Sequence, residues 1–357
     1  MIVGSVSPAA TVHAGLPAQV VIIDDSVVAR TVLARMIEAT GRFQVAGSFS
    51  DVRAGLAYLH DHAVDVVLLD IAMPGIDGIT ALPDVIAAGR GAKVLIVSSS
   101  ADEGAAVTVQ ALALGAADTL VKPGIGAFAG RFAEKLQERL LRLVEPAMGE
   151  VHPAPQVAAP PALGTHEVDL VTIGASTGGI HALSQVLRAI PPHFTVPILI
   201  TQHLPASFMP YFAAQVADLG RRPCEVADDH MRVRAGHILV APGDAHLRVV
   251  RTSDGAAVRL SDERAVSGCT PSVDPMFESA ADVFGRRAVG VVLSGMGRDG
   301  AEGARALVEA GARVVAQDRA SSVVWGMPGA VATSGCASAV LPPHEIGRLI
   351  ATLGGGR

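Results

Sequence analysis

Hydrophobic positions along this chain alternate between two periods. Continuous aliphatic runs, VVIID (20–24), FQVAGSF (43–49), VDVVLLD (64–70), KVLIVSS (93–99) and DTLVK (118–122), read as strands buried on both faces. Between them, segments such as SVVARTVLARMIEA and EGAAVTVQALALG space aliphatic residues three and four apart, as a helix with one buried face requires. The last such segment puts Phe128, Phe132, Leu136 and Leu140 on one face. Repeated strand–helix units over residues 19–142 predict a parallel sheet covered on both sides.

The pattern then stops. LVEPAMGEVHPAPQVAAPPALGTHEV (143–168) carries Pro146, Pro153, Pro155, Pro160 and Pro161 among small residues and has neither period, so it reads as an extended linker. An unstructured loop of this length inside one domain would be unusual. Afterwards the alternation restarts. DLVTIGA, PILITQH, HILVAP, LRVVRT, RAVGVVLSG and ARVVAQD read as strands, and IHALSQVLRAI, FMPYFAAQVADL and AEGARALVEAG as helices. This predicts a second, mostly parallel α/β domain with a hairpin at 247–261, where RTSDGA supplies the turn. The chain therefore divides into an extension (1–18), a first domain (19–142), a linker (143–166) and a second domain (167–357).

Composition narrows the class. With 357 residues, 50% of them hydrophobic and only 3% aromatic, two aliphatic cores are expected. A net charge of −6 gives no electrostatic ground for nucleic-acid binding. The first basic residue is Arg30, so the basic region of a secretory signal is missing. No apolar run reaches the roughly 18 residues of a membrane span. The expectation is a cytoplasmic monomer without direct membrane insertion. Cys224, Cys269 and Cys336 look too few and too scattered for disulfides or a zinc site, and are expected to be reduced, small core residues.

In open α/β sheets, chemistry gathers at the carboxyl ends of strands. In the first domain those ends carry Asp24 and Asp25, Asp70, Ser98 with Ser99, and Lys122. Adjacent carboxylates repel, and an oxygen-only cluster suits Mg²⁺. Asp70 would accept a phosphoryl group, with Lys122 and Ser98 meeting its charge and oxygens. The competing assignment is a set of solvated strand-end charges.

In the second domain GASTGG (174–179) sits in a strand-to-helix turn. It fits either a phosphate cradle or the nucleophile pattern G-x-S-x-G around Ser176. A dinucleotide site needs an acidic residue about 20 positions later, yet 180–217 holds neither Asp nor Glu. A nucleophile needs a base and an orienting acid. His203 ends the strand PILITQH, the place Ser176 takes on its own strand, and Asp299 follows VVLSG in a turn rich in glycine (Gly295, Gly297, Gly300). That turn could also aim the Met296 N–H at an oxyanion. Asp299 as a helix N-cap competes, and Asp244 and His246 are the next acid and base. The order Ser, His, Asp differs from that of α/β-hydrolases.

IIDDS (22–26), LLDIAMPGIDG (68–78), VSS (97–99) and VKP (121–123) resemble the receiver domain of two-component response regulators. IGASTGG, ITQHLPASF, VAPGDAHL, PSVDPMFESAA, LSGMGRDGAEG and AQDRASSVVWGMPGAV resemble the catalytic domain of the chemotaxis protein-glutamate methylesterases, which join a receiver to that domain through a linker. The resemblance implies two doubly wound parallel-sheet domains, a flavodoxin-like receiver and a Rossmann-like methylesterase domain. It implies phosphorylation at Asp70, a Mg²⁺ pocket of Asp24, Asp25 and Asp70 completed by the Ala72 carbonyl, and switch residues Ser98 and Lys122. In the catalytic domain it implies Ser176 as nucleophile, His203 as base, Asp299 as orienting acid and Met296 N–H in the oxyanion hole, with no cofactor. Implied partners are methylated chemoreceptor cytoplasmic domains and a chemotaxis-type histidine kinase, with the receiver gating glutamate demethylation and glutamine deamidation. Thr119 departs from the aromatic often found there in receivers, and Thr270 from a basic residue found in many relatives. A phosphorylation-controlled binding module without catalysis and a hydrolase of small esters or amides are the rival readings.

Overall fold

The computed structural model describes residues 16–98, 104–122, 129–144 and 167–353. The chain divides into two compact units. Residues up to 144 form β1 (Ala18–Ile23), α1 (Val27–Glu38), β2 (Phe43–Phe49), α2 (Val52–Asp61), β3 (Val66–Leu69), α3 (Gly78–Gly89), β4 (Lys93–Ser98), α4 (Gly104–Leu114), β5 (Asp118–Val121) and α5 (Ala129–Val144) in chain order, and all but α4 and the start of β5 belong to the first unit, residues 100–119 being grouped with the second. The sheet of these residues runs β2-β1-β3-β4-β5. The order reverses beside β1, and there the carboxyl ends of β1 and β3 open onto a shared crevice. Side chains of β1 and β3 are buried on both faces, from Val20 to Ile23 and from Val66 to Leu69, as their unbroken aliphatic runs require. Phe132, Leu136 and Leu140 of α5 are buried as their spacing predicts; Phe128 lies outside the described residues.

The second unit carries β6 (Leu170–Ala175), α6 (Gly179–Ala189), β7 (Ile198–Gln202), α7 (Met209–Gly220), β8 (Cys224–Val226), β9 (Ile238–Val240), β10 (His246–Thr252), β11 (Gly255–Ser261), α8 (Val273–Phe284), β12 (Ala288–Val292), α9 (Ala301–Glu309), β13 (Arg313–Gln317), α10 (Met327–Thr333), β14 (Ala339–Leu341) and α11 (Pro343–Leu353). Seven strands, ordered β14-β13-β12-β6-β7-β9-β8, form its main sheet, and every pairing is parallel. The expected hairpin forms apart from it, β10 pairing antiparallel with β11 around Ser253 and Asp254. The chain winds outward from β6 in both directions, so β6 lies at the reversal of strand order. Its flanking strands are β7, which precedes His203, and β12, which precedes Asp299.

Two boundaries shift slightly. Residue 18 opens β1, and Leu143 and Val144 close α5, so the linker expected at 143–166 falls outside the described residues from 145 onward. Among the described residues no helix is long and apolar enough to cross a membrane.

Candidate active site

The glycines of GASTGG are explained by packing. A Cβ at Gly174 would lie 2.4 Å from Val273 Cγ1, so its absence lets the start of α8 rest on β6. Gly178 has φ +73°, the left-handed region, and turns the chain into α6. A Cβ at Gly179 would lie 2.6 Å from that of Ala175. The turn is tied down by Ser176 N–H to the Ser294 carbonyl (3.0 Å) and by Gln202 Nε2 to the Ser176 carbonyl (3.0 Å). Ser176 is partly exposed, and its Oγ has no partner among the described residues.

Strand register brings the base alongside. β6 and β7 pair from Val171 with Ile198 to Ala175 with Gln202, and His203 N–H donates to the Ala175 carbonyl at 3.1 Å. One residue further, Ser176 stands opposite His203, at the ~4.8 Å spacing of neighbouring strands. On the other side, Leu293 N–H donates to the Gly174 carbonyl at 2.9 Å, fixing the loop that leads from β12 to Asp299. His203 Nε2 donates to Asp299 Oδ2 at 2.7 Å. The other ring nitrogen, Nδ1, is then the one able to take a proton.

Asp299 is 2% exposed and saturated with donors. Ser272 Oγ donates to Oδ1 at 2.6 Å and Val273 N–H to Oδ2 at 2.8 Å, while Gly300 N–H (3.1 Å) and Asp274 N–H (3.4 Å) also reach Oδ1. Asp299 does accept amides of a helix start, but the helix is α8, whose own cap residue Ser272 makes no side-chain cap bond, and α9 is preceded by Gly300. Burial alone would raise the Asp299 carboxyl. The His203 hydrogen bond and charge, with the Ser272 and Val273 donors, hold it well below the usual carboxylate range instead. Burial likewise would lower His203, but Asp299 and then Cys269 carry it up to about 9.

Met296 lies two residues after Ser294, and its N–H has no acceptor among the described residues. A Cβ at Gly295 would lie 2.3 Å from Met327 Sδ and 2.8 Å from Ser176 Cβ, so the loop crosses directly behind the serine. His246 is 1% exposed and has both nitrogens engaged, Nε2 donating to the Glu263 carbonyl (2.7 Å) and Nδ1 accepting from Ser272 N–H (2.9 Å). It is a strut for the loop before α8, with no free nitrogen for a base. Asp244 is exposed.

Sequence reasoning missed two features. Cys269 is not a core residue. It is half-exposed, and its sulfur, a His203 ring nitrogen and an Asp299 oxygen all lie within 4.8 Å of one another. Asp274, buried beside Asp299, accepts from Gly303 N–H at 2.8 Å, and burial together with the Asp299 charge raises its carboxyl. The run PSVD, with a Ser at the N-cap position before an apolar helix, carried the signal for this second support.

In the first unit, Asp24 and Asp70 are 1% and 4% exposed, and Lys122 Nζ reaches Asp24 Oδ2 at 2.7 Å and Asp70 Oδ2 at 2.6 Å. Carboxylate oxygens of Asp24, Asp25 and Asp70 lie within 4.8 Å of one another. Burial raises the Asp70 carboxyl against the pull of Lys122. Burial would lower Lys122, but Asp24 and Asp70 bring it above its ordinary value. Ser98 is buried, its carbonyl accepting from Lys122 N–H at 2.7 Å. The Ala72 N–H approaches Asp70, at 3.4 Å from Oδ1.

Comparison with known proteins places the chain in a family. The family described as CheB methylesterase matches residues 171–350, and the response regulator receiver domain matches 20–127. A protein-glutamate methylesterase/protein-glutamine glutaminase of Caulobacter vibrioides is 40% identical over 341 residues, covering 94% of this chain and 98% of its own. One from Pseudomonas aeruginosa is 38% identical over 336 residues, covering 93% and 95%. The crystal structure of the Thermotoga maritima CheB methylesterase catalytic domain superposes with a TM-score of 0.51 at 31% identity, over 53% of this chain and all of that one. With both family matches in sequence order and relatives aligned over nearly its whole length, the chain belongs to the CheB methylesterase family, a receiver domain preceding its catalytic domain.

Proposed function

We propose that the protein hydrolyses glutamate γ-methyl esters on the cytoplasmic helical bundles of chemoreceptors, and deamidates receptor glutamines, under control of phosphorylation at Asp70. The observation that carries this reading is the bond from His203 Nε2 to a saturated, buried Asp299, on a residue in register with Ser176. Asp299 fixes the tautomer, so Nδ1 accepts the serine proton. Ser176 Oγ attacks the ester carbonyl, and the Met296 N–H donates to the developing oxyanion. His203 passes its proton to the departing methoxide, releasing methanol and leaving an acyl-enzyme. Water then attacks, His203 takes its proton and returns one to Ser176, and glutamate is freed. A glutamine side chain follows the same course with ammonia leaving.

In the receiver, Asp70 is the acceptor, Lys122 offsets its added charge and the Ser98 hydroxyl meets the phosphoryl oxygens. The oxygen-only set of Asp24, Asp25 and Asp70 fits Mg²⁺, which when bound would neutralise the transferred group. A chemotaxis-type histidine kinase is the phosphodonor this domain calls for. The test is methanol release from methylated receptor, with and without a small phosphodonor. Release should be stimulated by the donor in the wild type and lost in Ser176→Ala. Equal rates in the two proteins would leave a binding module, and faster turnover of a small glutamate methyl ester than of receptor would favour a general esterase.

A further inference from the structure

Cys269 takes no part in the chemistry above, yet hydrogen bonds tie its loop to Asp299. It lies in the loop between β11 and α8, directly after Gly268, whose φ of +71° turns the chain. Cys269 N–H donates to Ser267 Oγ at 3.3 Å, Ser267 Oγ to Ser272 Oγ at 3.1 Å, and Ser272 Oγ to Asp299 Oδ1 at 2.6 Å. One run of hydrogen bonds thus sets both the thiol and the carboxylate against His203.

We propose that His203, Cys269 and Asp299 form a binding site for a thiophilic divalent cation, Zn²⁺ being the chemical fit, whose occupancy switches the esterase off. One imidazole nitrogen, one thiol sulfur and one carboxylate oxygen, mutually within 4.8 Å, are a ligand set of the kind that holds Zn²⁺ at about 2.0–2.3 Å. Three protein ligands leave a fourth position open. Donors from Ser272, Val273 and Gly300 orient Asp299 from outside, as the outer groups of metal sites do. The softness of the sulfur separates this set from the three carboxylates of the receiver, which favour a hard cation. Binding releases the thiol proton and one proton of the charged imidazole, and opens the 2.7 Å contact between His203 and Asp299 to admit the ion. An imidazole held by the cation cannot take the Ser176 proton. The inhibition rests on the reading of His203 as base; the cation site does not.

The experiment uses the full chain with excess Mg²⁺ to occupy the receiver carboxylates. Titration with Co²⁺ should give a thiolate-to-cobalt charge-transfer band saturating at one ion per chain, and Zn²⁺ should displace it. Zn²⁺ should also protect Cys269 of the wild type from alkylation, mapped by mass spectrometry. It should lower methanol release at least about tenfold, since a general base contributes 10²–10⁴, and a chelator should restore it. Cys269→Ser should lose the band and need at least about 10-fold more Zn²⁺ for half inhibition, a direct ligand costing no less than an outer partner of a metal site, each protein's chelated rate serving as its own reference. Absence of the band, alkylation indifferent to Zn²⁺, or a Cys269→Ser protein as sensitive as the wild type would overturn the proposal. A band formed with the rate unchanged would leave the cation site standing and remove His203 as the base.

Discussion

Asp70 and Asp299 occupy equivalent places, each beyond the carboxyl end of a strand beside the point where its parallel sheet reverses order, and each pairs with a cation. Their chemistry diverges because of donor count. Asp299 accepts from His203 and from four further donors on 272–274 and 300, and its carboxyl is driven down. Asp70 has Lys122 on one oxygen and only a 3.4 Å amide on the other, with Asp24 nearby, and its carboxyl is raised. A carboxylate so well supplied with donors is held ionised and in one place, where it orients His203. An under-satisfied one is free to meet a cation and accept a phosphoryl group. On the proposed mechanism, the same topological position thus serves as an anchor in one domain and as a phosphoryl acceptor in the other.

The largest effect should come from removing the attacking oxygen. Ser176→Ala should lower the rate of methanol release by about 10⁴–10⁶, whereas Asp70→Asn should make the rates with and without phosphodonor equal. A Ser176→Ala protein that retains a tenth of the rate would break the contrast between the two sites. Next comes Asp299→Asn. An amide offers one acceptor oxygen where Asp299 offers two, so its NH₂ must face either His203 together with the Val273 N–H or the donors of Ser272, Asp274 and Gly300. The expected cost is about 10⁴ in kcat, with destabilisation of about 1–3 kcal/mol from buried donors left unpaired, read by denaturant unfolding.

His203 supplies a pH test of its own. With its value raised from 6.5 to about 9, the charged ring is the main form at neutral pH. The catalytic base is the neutral ring, so kcat/KM should climb about tenfold per pH unit below that value and level off above it. Stability runs the other way. A group raised in the folded state contributes fully below its unfolded pKa of 6.5 and loses that contribution as pH rises to about 9. Between pH 6.5 and 9 the wild type should therefore lose up to about 3 kcal/mol relative to His203→Gln. A rate that is flat from pH 6 to 9 would show that another group is the base.

Gly295→Ala probes geometry alone. Its Cβ would press on Met327 Sδ at 2.3 Å and Ser176 Cβ at 2.8 Å. Displacing a nucleophile by as little as 1 Å can cost about 10²-fold, and kcat should fall by that order with the fold intact by circular dichroism.

Much of this was legible beforehand because strand-end positions follow from period alone. The five strands of the receiver run within two residues of the bounds their aliphatic runs predict, and His203 and Asp299 follow the two strands beside β6. The short strands β8 and β14 were not legible. Three residues beside Pro223 or before Pro342 carry no period, and pairing with β9 and β13 makes them strands. Long-range satisfaction was equally hidden. That Asp299 caps α8 rather than α9, that His246 is fully engaged, and that Cys269 meets His203 all depend on loops whose paths no local pattern records.

The mildest change on the reaction should be Gly78→Ala, the receiver's counterpart of Gly295→Ala. Gly78 opens α3, donates to the Ile71 carbonyl at 3.0 Å and lets the helix sit against the acceptor's own backbone. A Cβ there would lie 2.1 Å from the Asp70 carbonyl oxygen and 2.9 Å from Ile71 Cα. Both are main-chain atoms, so no side chain can swing aside and the strain goes into the loop that carries Asp70. The expected outcome is a receiver destabilised by about 1–3 kcal/mol, weaker stimulation by phosphodonor, and an unchanged donor-free rate. At Gly295 the added methyl meets the nucleophile itself; at Gly78 it meets only the regulator. If both substitutions lowered the donor-free rate alike, control and catalysis would share one support, and the division of labour between Asp70 and Asp299 would fail.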